Sequence, residues 1–463
     1  MTKETKLTDK LTVKKKNIYD CVDNRKKEMI FEFSEGYKNF LDGGKTEREA
    51  ADYAIEMARA AGYTEYKFGD TLKAGDKKYY NNRGKSLYIF KIGSYDISVD
   101  GMRILAAHID SPRLDLKQVP LYEDSGMAFF KTHYYGGIKK YQWTAIPLSL
   151  HGVIVKKDGS EVNVKIGDSA GDPVFYVNDL LPHLAQEQAT KPLATAIQGE
   201  QLNILVGGIP LKDGDGDGSV KLNVLNILNE KYGITEEDFV SAELSCVPAF
   251  NARDIGFDRA LIGAYGHDDR VCAYPLLKAI FDTESDKTVL GILADKEEIG
   301  SVGNTGMQSM VLLDIIRAIS EAFGISDMCV RANSKCLSAD VNAAFDPNFA
   351  EVYEKRNSAM ISCGTTMSKY TGSRGKSGTS DASAEFVGYV RRIFEENGVQ
   401  WQTSELGRVD LGGGGTVAAY IANLNIDTVD LGVPVISMHA PYEVVSKADV
   451  YSTYEAFRAF IKQ

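Results

Sequence analysis

The 463-residue sequence is poor in cysteine: it has six, Cys21, Cys246, Cys272, Cys329, Cys336 and Cys363, with no CxxC pair among them. Thiols this scattered in so long a chain exclude a disulfide framework and a cysteine-ligated structural zinc site, and are expected to be reduced and mostly core. Positive charge is also short, with 53 Lys and Arg against 64 Asp and Glu and a net charge of -11. Phosphate backbones require a basic surface, so this balance argues against a nucleic-acid scaffold, local basic patches aside. No stretch of about 18 apolar residues occurs, which leaves no candidate spanning helix. Residues 1–17 are polar and lysine-rich with no apolar h-region behind them. A cytoplasmic protein with neither membrane nor nucleic-acid partners is expected.

What is present is ample core material. Hydrophobic residues make up 44% of the chain, with 24 Tyr and 19 Phe, enough for two or three domains at this length. Residues 1–16, including Lys14, Lys15 and Lys16, read as a frayed, solvated terminus. Apolar residues fall at helical spacing over 25–41 and 46–61. Thr46 and Glu49 form a capping box at the head of the second helix, and Gly62 stops it. Two strand-like runs come next, 86–92 and 102–107. From 114 to 255 the character changes to β-branched, alternating stretches (153–157, 161–166, 203–207, 239–247) with Gly and Asp turns, which reads as an inserted, largely β domain. Asp213, Asp215, Asp217 and Gly218 imitate the start of a calcium loop. Val224 stands where the bidentate glutamate belongs, so an acidic loop is favoured. His133, His151 and His183 in this region read as structural or surface residues.

The chemistry lies elsewhere, around residues 291–306, GILADKEEIGSVGNTG. An apolar run delivers adjacent carboxylates, Glu297 and Glu298, into a glycine-rich turn. On extended backbone, neighbouring side chains diverge. One carboxylate can then hold a metal while the other faces a water that the metal acidifies and removes its proton. A solvated acidic loop has the same letters, so the pair needs partners. His108 ends an apolar strand, where open α/β sheets bind ligands, and Asp110 is placed to fix its second nitrogen. Asp268 and Asp269 with Arg270 open a helix over 271–281, where one carboxylate can bridge two cations or simply complement the helix dipole. Asp340 follows the short strand 335–338. Strand 433–438 delivers His439, with Glu443 four residues later. Gly412 to Gly415 let backbone N–H groups approach a substrate, although a mobile loop is equally allowed. Two histidines and three carboxylates, His108, Asp268, Glu298, Asp340 and His439, form a donor set suited to a pair of divalent ions.

On the segments AAHIDSP, GHDDRVCAY, DKEEIGSVG, SADVNAA and ISMHAPYE, in this order, the sequence resembles the M18 aminopeptidases. This is the aspartyl aminopeptidase and aminopeptidase I group of the co-catalytic zinc exopeptidases. The DDR and GGGGT stretches are most similar to the bacterial members. The resemblance covers nearly the whole chain, and it implies that Asp268 bridges two ions, His108 and Asp340 complete one site, and Glu298 and His439 complete the other. It also implies Glu297 as the general base for a metal-activated water, with Asp110 holding His108. One departure is that Asn342-Ala343-Ala344 follows Asp340, where the family's motif commonly continues towards a histidine. The implied fold is an α/β, mixed-sheet zinc-exopeptidase catalytic domain built from 1–117 and 256–463, interrupted by a β-rich dimerisation domain, 118–255. Dimers assembling into a tetrahedral dodecamer are implied, with His183 in the region that approaches a neighbour's active site.

The reading is therefore a dinuclear aminopeptidase acting on short peptides, with two divalent ions per subunit, Zn2+ or alternatively Co2+ or Mn2+. A metallo-carboxypeptidase or deacylase of the same architecture is the nearest alternative. An inactive binding shell is the other, and a retained Glu297 argues against it. Arg374 and Lys376 are candidates for accepting an acidic N-terminal residue, with Gly413 and Gly414 as substrate contacts. Neutral aliphatic N-terminal residues are the other expectation for specificity.

Overall fold

The computed structural model describes residues 11–212 and 218–463. Asp213, Asp215 and Asp217 of the calcium-like run, and residues 1–10, lie outside the described residues.

Two strands of the chain, Met102–His108 and Thr288–Ala294, are buried at every position. That is the signature of strands covered on both faces in a parallel sheet. They run parallel to each other, and Lys335–Ala339 and Asp427–Gly432 extend the parallel set. Five further strands at the flanks complete a nine-stranded mixed sheet. One face packs against helices Asn24–Gly43, His267–Asp282 and Lys447–Ile461, and the other against Val311–Ala322 and Ala418–Ala422. Gly291 allows close approach on the first face, because a Cβ there would lie 2.4 Å from Ile280 Cδ1. The capping box at Thr46 and Glu49 is formed, and the helix it opens, Glu47–Ala60, ends before Gly62.

The segment expected to be largely β forms a second, seven-stranded sheet. Strand Ala242–Pro248 pairs with both Arg113–Asp124 and Pro147–Val155, so the sheet closes on itself around its own apolar core of Leu114, Phe130, Trp143, Leu150 and Leu244. It is less purely β than its alternating pattern suggests. Val224 lies in a helix, Ser219–Tyr232, where Val220 and Val224, one turn apart, are its buried residues. A five-stranded sheet contains Leu261–Ala264, Pro434–Ile436 and Glu443–Ser446. The carboxyl ends of the central parallel strands open beside it, and the candidate site lies there.

Candidate metal centre

His108 is the last residue of its strand, fully buried, and its ring is oriented by the turn of chain at Asp110. Nδ1 lies 3.0 Å from the Asp110 carbonyl oxygen and 3.3 Å from Asp110 Oδ1, which leaves Nε2 as the free donor. That nitrogen faces Asp268 Oδ1 at 3.1 Å and Asp340 Oδ1 at 3.7 Å. On the other side, His439 Nδ1 donates to the Gly137 carbonyl at 2.7 Å, and its Nε2 faces Asp268 Oδ2 at 3.2 Å and Glu298 Oε2 at 3.6 Å. Two clusters result, His108/Asp268/Asp340 and Asp268/Glu298/His439, with the ligand atoms of each lying within 4.8 Å of one another. Asp268 belongs to both and gives one oxygen to each.

Local backbone differs from the sequence expectation at three places. Glu297 and Glu298 do not leave extended backbone. They sit in a one-turn 3-10 helix, Glu297–Ile299, entered through Lys296 in the left-handed region (φ 66°). This turn has the same effect as the expected strand, sending Glu298 towards His439 and Glu297 Oε2 to 3.9 Å from His108 Nε2. Asp268 and Asp269, joined by a cis peptide bond, open their helix. Their dihedrals are non-helical, so they are not simple dipole partners. His439 follows a turn rather than directly ending a strand, at φ 65°, and its N–H donates to Glu443 Oε1 at 2.7 Å.

The accessible groups are Glu297, Asp340 and His439, whose side chains are 19%, 12% and 36% exposed, whereas His108 and Glu298 are at 1% and 2%. Solvent thus reaches one face of the centre. Negative charge is in excess there. Burial, then the charge of Asp340, pushes Glu297 up to about 8. Burial and Asp268 raise Glu298 well above the usual carboxylate range, and Asp340 is raised by burial too. Burial opposes protonation of His439, yet Asp268 and Glu298 outweigh it and push the imidazole up to about 10. Buried carboxylates resist ionisation unless a counter-charge is near, and Glu298 Oε1 has no hydrogen-bond partner among the described residues. Two imidazoles cannot balance this much acid. A pair of divalent cations would, so the residues fit such a group.

Several supporting contacts have no motif of their own. Glu443 accepts the backbone N–H of both Asp268 (3.1 Å) and His439 (2.7 Å), tying the shared carboxylate to the histidine. Its position four residues after His439 was the only sequence signal. Ser111 Oγ donates to the Asp268 carbonyl at 2.6 Å, and Tyr135 OH, from the closed sheet, to Asp110 Oδ2 at 2.9 Å. Asn342, at the family departure, donates to Ser368 Oγ at 3.0 Å.

The remaining histidines and the candidate substrate contacts lie outside the two ligand clusters. His183 lies exposed on a one-turn helix, Pro182–Leu184, at a separate cavity of about 570 Å³. Arg374, Lys376 and Gly413 come together around another, of about 200 Å³, with Arg408 and Glu405; Gly414 is held next to it, its carbonyl accepting the Gly372 N–H at 2.6 Å. His151 is buried between Glu49 and Asp168, and His133 bonds the Tyr134 carbonyl. His267 is wedged between Tyr37 OH and the Ile262 carbonyl, and burial lowers it to about 3.

The family described as "Aminopeptidase I zinc metalloprotease (M18)" matches residues 40–461. A curated relative from Clostridium acetobutylicum, named "Probable M18 family aminopeptidase 1", is 52% identical over 455 residues, covering 96% of this chain and 98% of the relative. A crystal structure of an M18 family aminopeptidase from Thermotoga maritima superposes with a TM-score of 0.92 at 44% identity, over 97% of this chain and all of that one. The crystal structure of aminopeptidase I from Clostridium acetobutylicum has a TM-score of 0.91 at 47% identity, over 98% of this chain and all of that one. With the family match spanning the chain and relatives this similar over nearly their full length, the protein belongs to the M18 family of zinc aminopeptidases and is a metallo-aminopeptidase.

Proposed function

We propose that the enzyme removes N-terminal residues from short peptides at a dinuclear centre held by His108, Asp268, Glu298, Asp340 and His439. The observation that carries this reading is Asp268, whose two oxygens face two different histidines at 3.1 and 3.2 Å. Two divalent ions held there would polarise the scissile carbonyl and acidify water. Glu297 acts as the general base: it takes the proton of the attacking water and returns it to the leaving amine. Its side chain belongs to neither ligand cluster and is partly exposed, as a proton carrier must be. Asp110 fixes the tautomer of His108, and Glu443 holds the backbone of Asp268 and His439. Zn2+ is the favoured ion, with Co2+ or Mn2+ as alternatives. The test is metal analysis of a Glu297→Gln enzyme, expected to keep both ions and lose turnover; a variant that turns over normally refutes Glu297 as base.

For specificity, the cavity lined by Arg374, Lys376 and Arg408 supports acceptance of an acidic N-terminal residue. Lys376 is partly neutralised by Asp381 at 3.2 Å, whereas neither arginine has an acidic partner among the described residues. Neutral aliphatic residues are the alternative.

The closed sheet is read as a distinct dimerisation domain, 118–255, carried on a catalytic frame of 1–117 and 256–463. Its exposed Met127, Val174, Tyr176 and Ile227 around an apolar cavity of about 580 Å³ support a self-association surface. A homo-oligomer of dimers, up to a tetrahedral dodecamer, is proposed. The structure described as the S. cerevisiae mApe1 dodecamer shares the fold at 22% identity, with a TM-score of 0.75. Native mass measurement tests the assembly, and a monomer at micromolar concentration refutes it. Cytoplasmic location is proposed, and no helix among the described residues is long and apolar enough to cross a membrane.

A further inference from the structure

A glycine surrenders more conformational freedom on folding than any other residue, so a run of four needs a reason. For two of the four at 412–415 the reason is packing. A Cβ on Gly412 would lie 1.8 Å from the Leu406 carbonyl oxygen, and one on Gly413, at φ 116°, 1.9 Å from that of Gly372. The other two have no such reason. The nearest atom to a Cβ on Gly414 is Leu406 Cδ2 at 3.9 Å, and on Gly415 it is the Gly378 carbonyl oxygen at 4.0 Å. Neither has a left-handed φ. The protein's own atoms would tolerate a side chain at both positions.

The segment is nonetheless held at both ends. The Gly414 carbonyl accepts the Gly372 N–H at 2.6 Å, and Thr416 Oγ1 donates to Asp430 Oδ1 at 2.6 Å. Between these ties, no hydrogen bond among the described residues engages the N–H of Gly414 or either main-chain group of Gly415. Asp430 is buried within the parallel strand Asp427–Gly432, paired in register with Ser338 on one side and Ser368 on the other. The next residue, Leu431, accepts the N–H of Asp340, a candidate metal ligand, at 3.3 Å. Helix Ala418–Ala422, which begins just after Thr416, packs on the same strand. One strand therefore fixes both the glycine segment and Asp340. At the far end, Gly412 and Gly413 line the cavity with Arg374 and Arg408, so residues 414–415 run from that cavity to the strand that also holds Asp340.

We propose that Gly414 and Gly415 form a strip on which the extended main chain of the peptide substrate lies, and that Asp430 is a positioning residue that fixes this strip through Thr416. The strip deepens the aminopeptidase reading and rests on it. A main chain offering alternate N–H and C=O groups is the natural partner for a held segment with unpaired main-chain groups and no Cβ to keep it at a distance. Asp430 touches no substrate in this arrangement; it sets where the strip stands relative to Asp340.

The test uses full-length enzyme loaded with metal. Gly414→Ala and Gly415→Ala are expected to keep melting temperature and metal content and to raise KM for a tripeptide about five- to tenfold with kcat nearly unchanged. Thr416→Val, which keeps shape and loses the hydroxyl, is expected to raise KM similarly, and Thr416→Ser to restore it. Affinity for a fluorescein-labelled tripeptide, read by anisotropy, should fall in parallel, and this judges the strip even if the wild-type enzyme turned over no peptide, a failure that would count against the aminopeptidase reading instead. Alanine variants with wild-type KM and peptide affinity, or alanine variants that fail to fold, overturn the strip. A Thr416→Val enzyme that matches wild type, or a Thr416→Ser enzyme no better than it, overturns the tether.

Discussion

Asp110 holds the turn that bears Glu297 and Glu298: its Oδ1 accepts the N–H of Glu297 at 3.1 Å and its Oδ2 the N–H of Glu298 at 3.2 Å. The same carboxylate lies 3.3 Å from His108 Nδ1 and accepts Tyr135 OH. Burial works against its ionised form, but the hydrogen bond and charge of His108 win and keep its pKa below the usual value. One fully buried side chain thus orients a candidate metal ligand, the candidate base and the ligand beside it.

Removing it leaves the part-buried donors of Glu297, Glu298 and Tyr135 unsatisfied at once. Asp110→Ala is expected to weaken metal binding by about 10- to 100-fold, the usual cost of losing a partner that orients a ligand. Asp110→Asn, which keeps one acceptor oxygen, should fall between. Competition against a chelator of known affinity measures both. Metal affinity unchanged in Asp110→Ala would mean that the Asp110 carbonyl oxygen, 3.0 Å from His108 Nδ1, is enough to orient the ring.

Glu297 and Glu298 are neighbours with opposite expected phenotypes. Glu298 faces His439 at 3.6 Å inside a ligand cluster, whereas Glu297 is outside both clusters. Glu297→Gln should retain two ions per subunit and lose about 10²- to 10⁴-fold in kcat, the range for removing a general base. Glu298→Gln should lose one ion, and added metal should restore part of its activity. Elemental analysis of the dialysed proteins alongside kinetics separates them. Equal metal loss in both variants would contradict the division of roles.

Much of this was legible from letters because the five candidate ligands end or follow short, strongly apolar segments. The apolar runs 102–107 and 289–294 read as strands and are the strands Met102–His108 and Thr288–Ala294, and a buried parallel strand puts its functional residue at its carboxyl end. What failed was local. The left-handed Lys296 and the non-helical Asp268 and Asp269 are set by surrounding contacts, such as Ser111 on the Asp268 carbonyl, that lie far away in sequence. Glu443, Tyr135 and Asp430 also act through partners 14 to 175 residues distant, and no spacing rule announces such pairings. Helix Ser219–Tyr232 escapes the sequence reading because the β-branched run before it sets the character of the whole segment.

His151 offers a pH test away from the metal centre. It lies in the closed sheet, with Nδ1 2.8 Å from Glu49 of the capped helix and Nε2 3.4 Å from Asp168 and 2.9 Å from Ser149 Oγ. Lys45 and Lys165 complete the cluster. Burial opposes protonation, but Asp168 and Glu49 outweigh it, so the folded pKa lies above the ordinary value. A raised histidine stabilises fully below its unfolded pKa, about 6.5, and that stability is lost as pH rises through the folded value. A charge-assisted hydrogen bond contributes about 1.5–3 kcal/mol, and in a large domain each kcal/mol is worth about 2–4 °C of melting temperature. Wild type should therefore exceed His151→Gln by a few degrees at pH 6, and the gap should close towards pH 9. A gap that is constant with pH would mean that the imidazole is neutral throughout.

The last prediction concerns the arginines beside the glycine run. Arg374 and Arg408 share a small cavity with Lys376 and Glu405, and of the three cations only Lys376 has an acidic partner among the described residues, Asp381. An acidic substrate side chain entering this cavity would make a charge-assisted pair, about 1.5–3 kcal/mol or roughly 10- to 100-fold in kcat/KM. A neutral aliphatic side chain would gain no such pair. Arg408→Ala and Arg374→Ala should therefore lower kcat/KM for glutamyl- and aspartyl-anilides by at least about tenfold, with leucyl-anilide turnover nearly unchanged. The acidic preference should also weaken with added salt, since the cavity is open to solvent and its charge is screened. Equal losses on all three anilides would assign the arginines to the loop's structure, and no preference in the wild type would mean that the two cations face away from the substrate.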